Sequence, residues 1–454
     1  MLCAAISQSR KSFVSNFNPS SAILELGERF YDEVDPAEFN GVGVRYFDES
    51  LSKSLGLELS QADVSTHFLD FEPLPNSLSQ PLALRYHGHQ FRQYNPDIGD
   101  GRGFLFSQCE ADGKLLDFGT KGSGTTPFSR SGDGRLTLLG GVREVLAALY
   151  LESLGVNTSR AFALIETDEA LTRHDEPSPT RAGVLTRLSH SHIRFGTFQR
   201  HAFYQDTEAL ERLSAYCIRH FYSEGTNTAE MFDQVVTASA DTVASWMAAG
   251  FVHGVMNTDN MNITGESFDY GPYRFLPHLD PAFTAAYFDH GRLYAFGRQP
   301  EAMSWNLAQL AQCLALICED GPLIASLTDF AERFQTSLNH HVFQRLGIAP
   351  KDFETDREFV RDTFSYLQKS QVDWPSFWHD WQGGAARADG YQISEYDGAW
   401  VKALGAFDSI STPRQSERPE SLLYDEIGEI WAPIAEHDDW SAFEQKTVRL
   451  KGGT

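Results

Sequence analysis

The sequence predicts an α+β fold of two unequal parts, a small mixed lobe followed by a large, mainly helical one. Three observations carry that expectation. Strand-like apolar runs separated by turns fill 103–188, the apolar period beyond Thr207 becomes helical, and 454 residues suffice for more than one core.

The elements follow in order. Runs 103–108 and 115–121 flank Ala111-Asp112-Gly113-Lys114 and read as a β-hairpin whose return strand ends on Lys121. After a glycine-rich loop, 136–154 places Val142, Val145, Leu146 and Leu149 on one helical face, with Gly155 as the stop. Runs 161–167 and 182–188 are strand-like and enclose a polar loop at 174–180. Long amphipathic segments occupy 208–222 and 228–249, and Leu307, Leu310, Leu314 and Ile317 mark another helix. The expected organisation is an N-terminal extension over 1–80, a small lobe over 81–196, a helical lobe over 197–410 joined near 189–200, and a C-terminal extension over 411–454. That last part begins with a polar linker at 411–420.

A formal net charge of −25 argues against partnership with nucleic acid or an anionic membrane. No apolar run approaches the roughly 18 residues of a membrane span. The charge is uneven: 121–200 holds ten Lys and Arg against eight Asp and Glu, a mildly basic stretch in an acidic chain. Five cysteines (Cys3, Cys109, Cys217, Cys313 and Cys318), without CxxC or zinc-type spacing, suit a reducing compartment and buried thiols. The first 24 residues lack Asp and Glu and are Ser-rich, a faint likeness to a transit peptide; the expectation is a bacterial cytoplasmic protein with a plain N-terminus, or a mitochondrial one if the source is eukaryotic.

Several residues carry the right chemistry for a phosphate-handling site. In protein kinases a strand lysine grips the nucleotide phosphates and is aimed by a glutamate from the next helix. Lys121 and Glu144 stand in that order, and an incidental surface pair is the plain alternative. Three glycine-rich pieces surround the lysine: Gly99-Asp100-Gly101-Arg102-Gly103, Lys121-Gly122-Ser123-Gly124 and Gly132-Asp133-Gly134-Arg135. Glycine lets backbone N–H groups approach phosphate oxygens, and a neighbouring cation adds charge-assisted bonds. None of the three is a Walker loop or a dinucleotide fingerprint. Arg187 and Arg194 flank the junction of the lobes.

The sharpest signal is His253-Gly254-Val255-Met256-Asn257-Thr258-Asp259-Asn260. Small-molecule phosphotransferases of the kinase fold carry HGDxxxxN there, with Asp as base and Asn as metal ligand. Val255 at the base position cannot accept a proton, and Asp259 is the substitute carboxylate. Asp269-Tyr270-Gly271 follows, an analogue of the Asp-Phe-Gly whose Asp binds Mg²⁺; Asn260 and Asp269 are hard oxygen donors for such a cation. His87 and His89, among aromatic residues, read as packed and hydrogen-bonded, and His340-His341 as facing different sides of a helix.

These motifs, with Tyr86-His87-Gly88-His89-Gln90-Phe91, Thr126-Pro127-Phe128-Ser129-Arg130, Arg143-Glu144 and Ser191-His192-Ile193-Arg194-Phe195-Gly196, resemble the selenoprotein O family of pseudokinases across about 80–320. The resemblance implies a protein-kinase-like two-lobed fold and protein adenylyltransferase activity, with ATP flipped so that AMP is transferred, or UMP from UTP at the same site. It implies Asp259 as proton acceptor and Asn260 with Asp269 binding Mg²⁺ or Mn²⁺. Gly99, Gly101, Arg102, Lys121, Asp133, Gly134, Arg187 and Arg194 would contact ATP, and Glu144 would orient Lys121. The partners are then ATP and protein substrates, and the chain is expected to be a monomer. Two departures stand out: the last cysteine is Cys318, so the redox control attributed to a C-terminal cysteine is not expected, and 419–442 is acidic and Trp-bearing where many members carry an Asn-Pro motif. The competing functions are ordinary phosphotransfer, opposed by Val255, and a non-catalytic nucleotide-binding scaffold, opposed by the full set of Lys121, Glu144, Asn260 and Asp269.

Overall fold

A computed structural model describes residues 16–174, 176–222, 226–385, 395–411 and 418–452. Most of the acid-poor N-terminus, Asp175 in the 174–180 loop and 412–417 of the expected linker lie outside the described residues.

The strands are β1 (Pro19–Ser20), β2 (Tyr31–Glu33), β3 (Gly41–Phe47), β4 (Leu82–Leu84), β5 (Gly88–Gln90), β6 (Gln93–Asn95), β7 (Leu105–Ala111), β8 (Lys114–Lys121), β9 (Leu136–Thr137), β10 (Arg160–Leu171), β11 (Thr180–Ser189), β12 (Phe251–Val252) and β13 (Arg274–Phe275). The helices are α1 (Glu49–Ser54), α2 (Gln61–Phe68), α3 (Leu138–Ser153), α4 (Phe195–Phe203), α5 (Thr207–Phe221), α6 (Thr228–Ala249), α7 (Gln299–Leu314), α8 (Asp320–Leu346), α9 (Phe353–Ser370), α10 (Trp374–Asp380), α11 (Glu395–Leu404), α12 (Tyr424–His437) and α13 (Ser441–Lys451). The chain divides into two compact units. The first comprises Met1–Arg85, Asp97–Val142 and Arg160–His192; the second comprises Tyr86–Pro96, Arg143–Ser159 and Ile193–Thr454.

The first unit is built on an antiparallel sheet of nine strands among the described residues, ordered β2-β4-β7-β8-β11-β10-β3, with β1 on β7 and β9 on β11. The hairpin expected from the sequence is β7–β8. Its turn places Asp112 at φ 51° and Gly113 at φ 72°, the doubly left-handed pair that a two-residue hairpin turn requires. Strands from the N-terminal 80 residues enter the same sheet, because β3 pairs with β10 and β2 with β4. The core is aromatic: Phe68 of α2 lies against Phe106, Phe118 and Phe162 at ring separations of 5.7, 5.8 and 4.9 Å.

The second unit is mainly helical. Asn227 and Glu230 form a capping box that starts α6, and Gly250 at φ 70° ends it in the left-handed conformation usual for a helix stop. The indole of Trp374 donates to the Ala249 carbonyl at 3.2 Å, binding that helix end to a core that includes Trp378, Trp381, Trp400, Phe343 and Phe359. Directly after Gly250, β12 pairs with β13, Phe251 opposite Phe275 and Val252 opposite Arg274. That pairing closes 253–273 into one loop, and the candidate catalytic motif lies within it. Among the described residues no helix is long and apolar enough to cross a membrane.

Candidate functional site

In the first unit the three glycine-rich pieces converge. The Gly122 N–H donates to the Arg102 carbonyl at 2.7 Å, and the Gly124 N–H to the Gly134 carbonyl at 3.2 Å. A Cβ on Gly134 would stand 2.2 Å from the Gly124 carbonyl, so only glycine permits that approach. Thr126 Oγ1 and Ser129 Oγ donate to the carbonyls of Asp100 and Gly101 and hold the first piece against the segment that follows the second. Gly99 abuts the Phe128 ring. Arg102 is exposed, while Asp133 is exposed and paired with Arg173 at 2.8 Å, which holds its carboxyl below the usual range against partial desolvation.

Lys121 ends β8 and is buried, opposite Leu185 of β11; Arg187, also buried, sits opposite Gly119. In an antiparallel pair, directly opposed residues share a face, so Lys121 and Arg187 are diagonal neighbours on one face of the sheet. Two buried cations thus stand side by side on that face.

In the second unit the loop 253–273 is held at many points. Val255 N–H donates to His253 Nδ1 at 3.4 Å, which leaves Nε2 as the donor to the Phe268 carbonyl at 3.3 Å. His253 therefore braces the candidate motif against the Asp269 turn. Thr258 Oγ1 accepts from the His89 N–H at 2.7 Å and donates to Gln199 Oε1 at 2.6 Å. Asn257 Oδ1 accepts from the Phe91 N–H at 3.0 Å and the Tyr294 hydroxyl at 2.9 Å. The β5–β6 hairpin and α4 thus fix the loop from one side.

Arg194 ties the two acidic positions together. Its Nη1 donates to the Asp259 carbonyl at 2.8 Å and lies 3.8 Å from Asp269 Oδ2, and its guanidinium stacks between Tyr86 and Phe268, 4.6 and 4.9 Å from the ring centres. The N–H of Phe195 bonds the Met261 carbonyl, so Arg194 is aimed by backbone pairing. Asp259 is 7% exposed, and among the described residues its Oδ1 has no hydrogen-bond partner. Burial pushes its carboxyl up to about 6, against the pull of Arg194 and with a further push from Asp269. Asp269 holds φ 63° and accepts from the Gly271 N–H, a tight turn that a short acidic side chain tolerates.

The residues fit a hard divalent cation. Asn260 Nδ2 donates to the Val255 carbonyl at 2.9 Å, which leaves Oδ1 as the outward acceptor, and the Asp269 carboxylate is partly exposed. Among the described residues no three His, Cys, Asp or Glu side chains gather into a self-sufficient metal cage. Two protein oxygens with the rest of the shell from phosphate and water is the arrangement that suits Mg²⁺.

Glu144 is buried in α3 and belongs to the second unit, whereas Lys121 belongs to the first. His87 and His89 are packed and bonded as expected, His87 to the Tyr94 hydroxyl and His89 to Gln199, both at 2.7 Å. His341 bonds Asp241 at 2.9 Å. Cys109, Cys217 and Cys313 are buried, and Cys318 is partly so. Sequence reasoning did not assign site roles to Tyr86, Gly88, Gln199, Thr258 or Phe268. Tyr86 and Gly88 lie in the aromatic 86–91 stretch and Thr258 in the 253–260 motif, whereas Gln199 and Phe268 carry no such signal.

The family model described as "Protein adenylyltransferase SelO" matches residues 13–451. The chain is similar to the protein nucleotidyltransferase YdiU of Trichormus variabilis, 39% identical over 474 residues and covering 96% of each chain. Against the YdiU of Synechocystis the identity is 41% over 471 residues, 96% of this chain and 98% of that one. For Gloeobacter violaceus it is 41% over 455 residues, 95% and 94%.

Proposed function

This chain belongs to the protein adenylyltransferase SelO family, and we propose that it transfers AMP from ATP to Ser, Thr or Tyr hydroxyls of protein substrates. Membership makes it a protein nucleotidyltransferase; UMP from UTP is the same chemistry with a different base. The proposal takes 81–196 as a nucleotide-binding lobe and 197–410 as a catalytic lobe on a protein-kinase-like plan, with 1–80 and 411–454 as extensions.

Each residue then has a role. Lys121, held by Glu144, and Arg187 grip phosphate oxygens, joined by Arg194. Gly99, Gly101, Arg102, Asp133 and Gly134 cradle the nucleotide, the glycines through backbone N–H groups. Asn260 and Asp269 hold Mg²⁺ or Mn²⁺, which when bound supplies positive charge against the phosphates and the departing pyrophosphate. Asp259 takes the proton of the attacking hydroxyl as its oxygen bonds to the α-phosphorus and the α–β bridge breaks. Arg194 keeps Asp259 and Asp269 in register and offsets their mutual repulsion.

The observation that carries the reading is the buried Oδ1 of Asp259, without a hydrogen-bond partner among the described residues, in a loop whose phosphotransferase base position is Val255. The experiment is incubation with ATP labelled at the α or the γ phosphate, in Mg²⁺ or Mn²⁺, with candidate protein substrates. Label arriving on protein from the α position only, and lost in Asp269→Ala, is expected. Label from the γ position only would overturn the reading.

A further inference from the structure

The C-terminal extension reaches the Asp269 turn through an aromatic ring. Tyr424, the first residue of α12, lies 3.8 Å from the Arg274 guanidinium and 5.8 Å from that of Arg143, measured to its ring centre. Both arginines grasp the backbone just after the Asp269 turn. Arg274 Nη1 donates to the carbonyls of Pro272 and Tyr273 at 2.9 Å each, and Arg143 Nη2 to those of Gly271 and Tyr273 at 3.4 and 3.3 Å. The Tyr273 hydroxyl returns a bond to the Arg143 carbonyl at 2.7 Å.

Two guanidiniums converging on three successive carbonyls repel each other, and burial together with the neighbouring Arg143 disfavours the charge on Arg274. A ring face with negative quadrupole, shared by the two, offsets that repulsion. The ring is held in place from behind. Lys446 of α13 is buried and donates to Glu420 at 2.8 Å, to Glu426 at 2.7 Å and to the Ser421 carbonyl. The Glu420 carboxylate also binds Arg449, and its carbonyl accepts from the Tyr150 hydroxyl of α3. Residues 420–426 are therefore fastened to two helices while presenting Tyr424 to the arginines.

We propose that Tyr424 is a positioning residue: the C-terminal extension lays its ring across Arg143 and Arg274 and so holds the 271–273 backbone, and with it Asp269, in the arrangement that binds the divalent cation. This rests on the reading of Asp269 as a metal ligand. Tyr424 touches neither metal nor substrate and acts through the two arginines. It gives the C-terminal extension a task in the reaction that needs no cysteine.

The test uses the full chain with Tyr424 replaced by Leu, Phe, Trp and a series of fluorinated phenylalanines. Two quantities are read: Mn²⁺ affinity by electron paramagnetic resonance in the presence of a non-transferable ATP analogue, and amide hydrogen exchange at 269–274. Tyr424→Leu is expected to weaken Mn²⁺ binding about fivefold and to speed exchange at 269–274, since an exposed cation–π contact is worth that order. Excess Mn²⁺ should restore the transfer rate of this variant. Phe and Trp should stay within about twofold of the native protein, and added fluorines should erode affinity in steps as the ring face loses its negative potential. A merely structural role for the ring would not respond to fluorine. Unchanged exchange in Tyr424→Leu, or fluorinated rings equal to Phe, would overturn the proposal. Should Asp269→Ala bind Mn²⁺ as the native protein does, the metal assignment fails instead, and exchange alone decides the role of Tyr424.

Discussion

Gly88 stands where a side chain would meet the proposed base. A Cβ there would lie 2.6 Å from Asp259 Oδ1 and 3.0 Å from its Cβ, so Gly88→Ala must push the carboxylate or bend β5. A displacement of about 1 Å at a reacting group costs up to about 100-fold in rate. The expected result is a kcat lowered about 10- to 100-fold with a stability loss of only about 1–3 kcal/mol, read by α-label transfer and thermal melting. Gly113→Ala is the comparator, because it strains a φ of 72° with nothing within 4 Å of the new Cβ. It should cost a similar stability and no rate; equal rates in the two variants would refute the placement. The proposed site residues Lys121, Asp259, Asn260 and Asp269 are legible in the sequence as candidates, because they form spaced motifs of recognisable type and order. Gly88, Gln199 and Thr258 are not, since their importance lies in contacts between segments over 100 residues apart.

At the scale of elements, local signals performed well and non-local ones did not. The β7–β8 hairpin, α3 and α6 fall where turn residues and helical period put them, because capping and hairpin geometry are written in neighbouring residues. The grouping of Tyr86–Pro96 with the helical unit has no such signature; it follows from the bonds that 89 and 91 make to 257–258. The C-terminal helices were equally silent, since 419–442 reads only as acidic and Trp-bearing. Their anchor is Lys446, whose side chain is 1% exposed between Glu420 and Glu426. Removing one partner of a buried ion cluster leaves uncompensated charge, so Lys446→Met should destabilise α12 and α13 by about 2–4 kcal/mol. Faster hydrogen exchange in Ser441–Lys451, and weaker Mn²⁺ binding of the kind expected for Tyr424→Leu, would follow. Native exchange rates in that variant would show that the cluster does not hold the extension.

The whole molecule carries −25 charges, and 121–200, with ten cations against eight acids, is the exception to that excess. Charge of this size does not shape a fold, but it steers partners. An acidic protein enzyme whose co-substrate is another protein should collide faster with cationic targets and more slowly with acidic ones, over distances that salt screens beyond about 10 Å at 0.1 M. Steering changes encounter and leaves the chemical step alone. For a cationic protein substrate, raising NaCl from about 50 to 300 mM should therefore raise KM several-fold while kcat stays constant; for a substrate of net negative charge KM should fall. The measurement is initial-rate kinetics on one cationic and one anionic substrate, at saturating ATP and metal. Varying protein substrate alone removes the nucleotide's own salt dependence from the comparison. If both KM values move in the same direction, long-range charge does not govern substrate capture, and selection must rest on contacts at the docking surface.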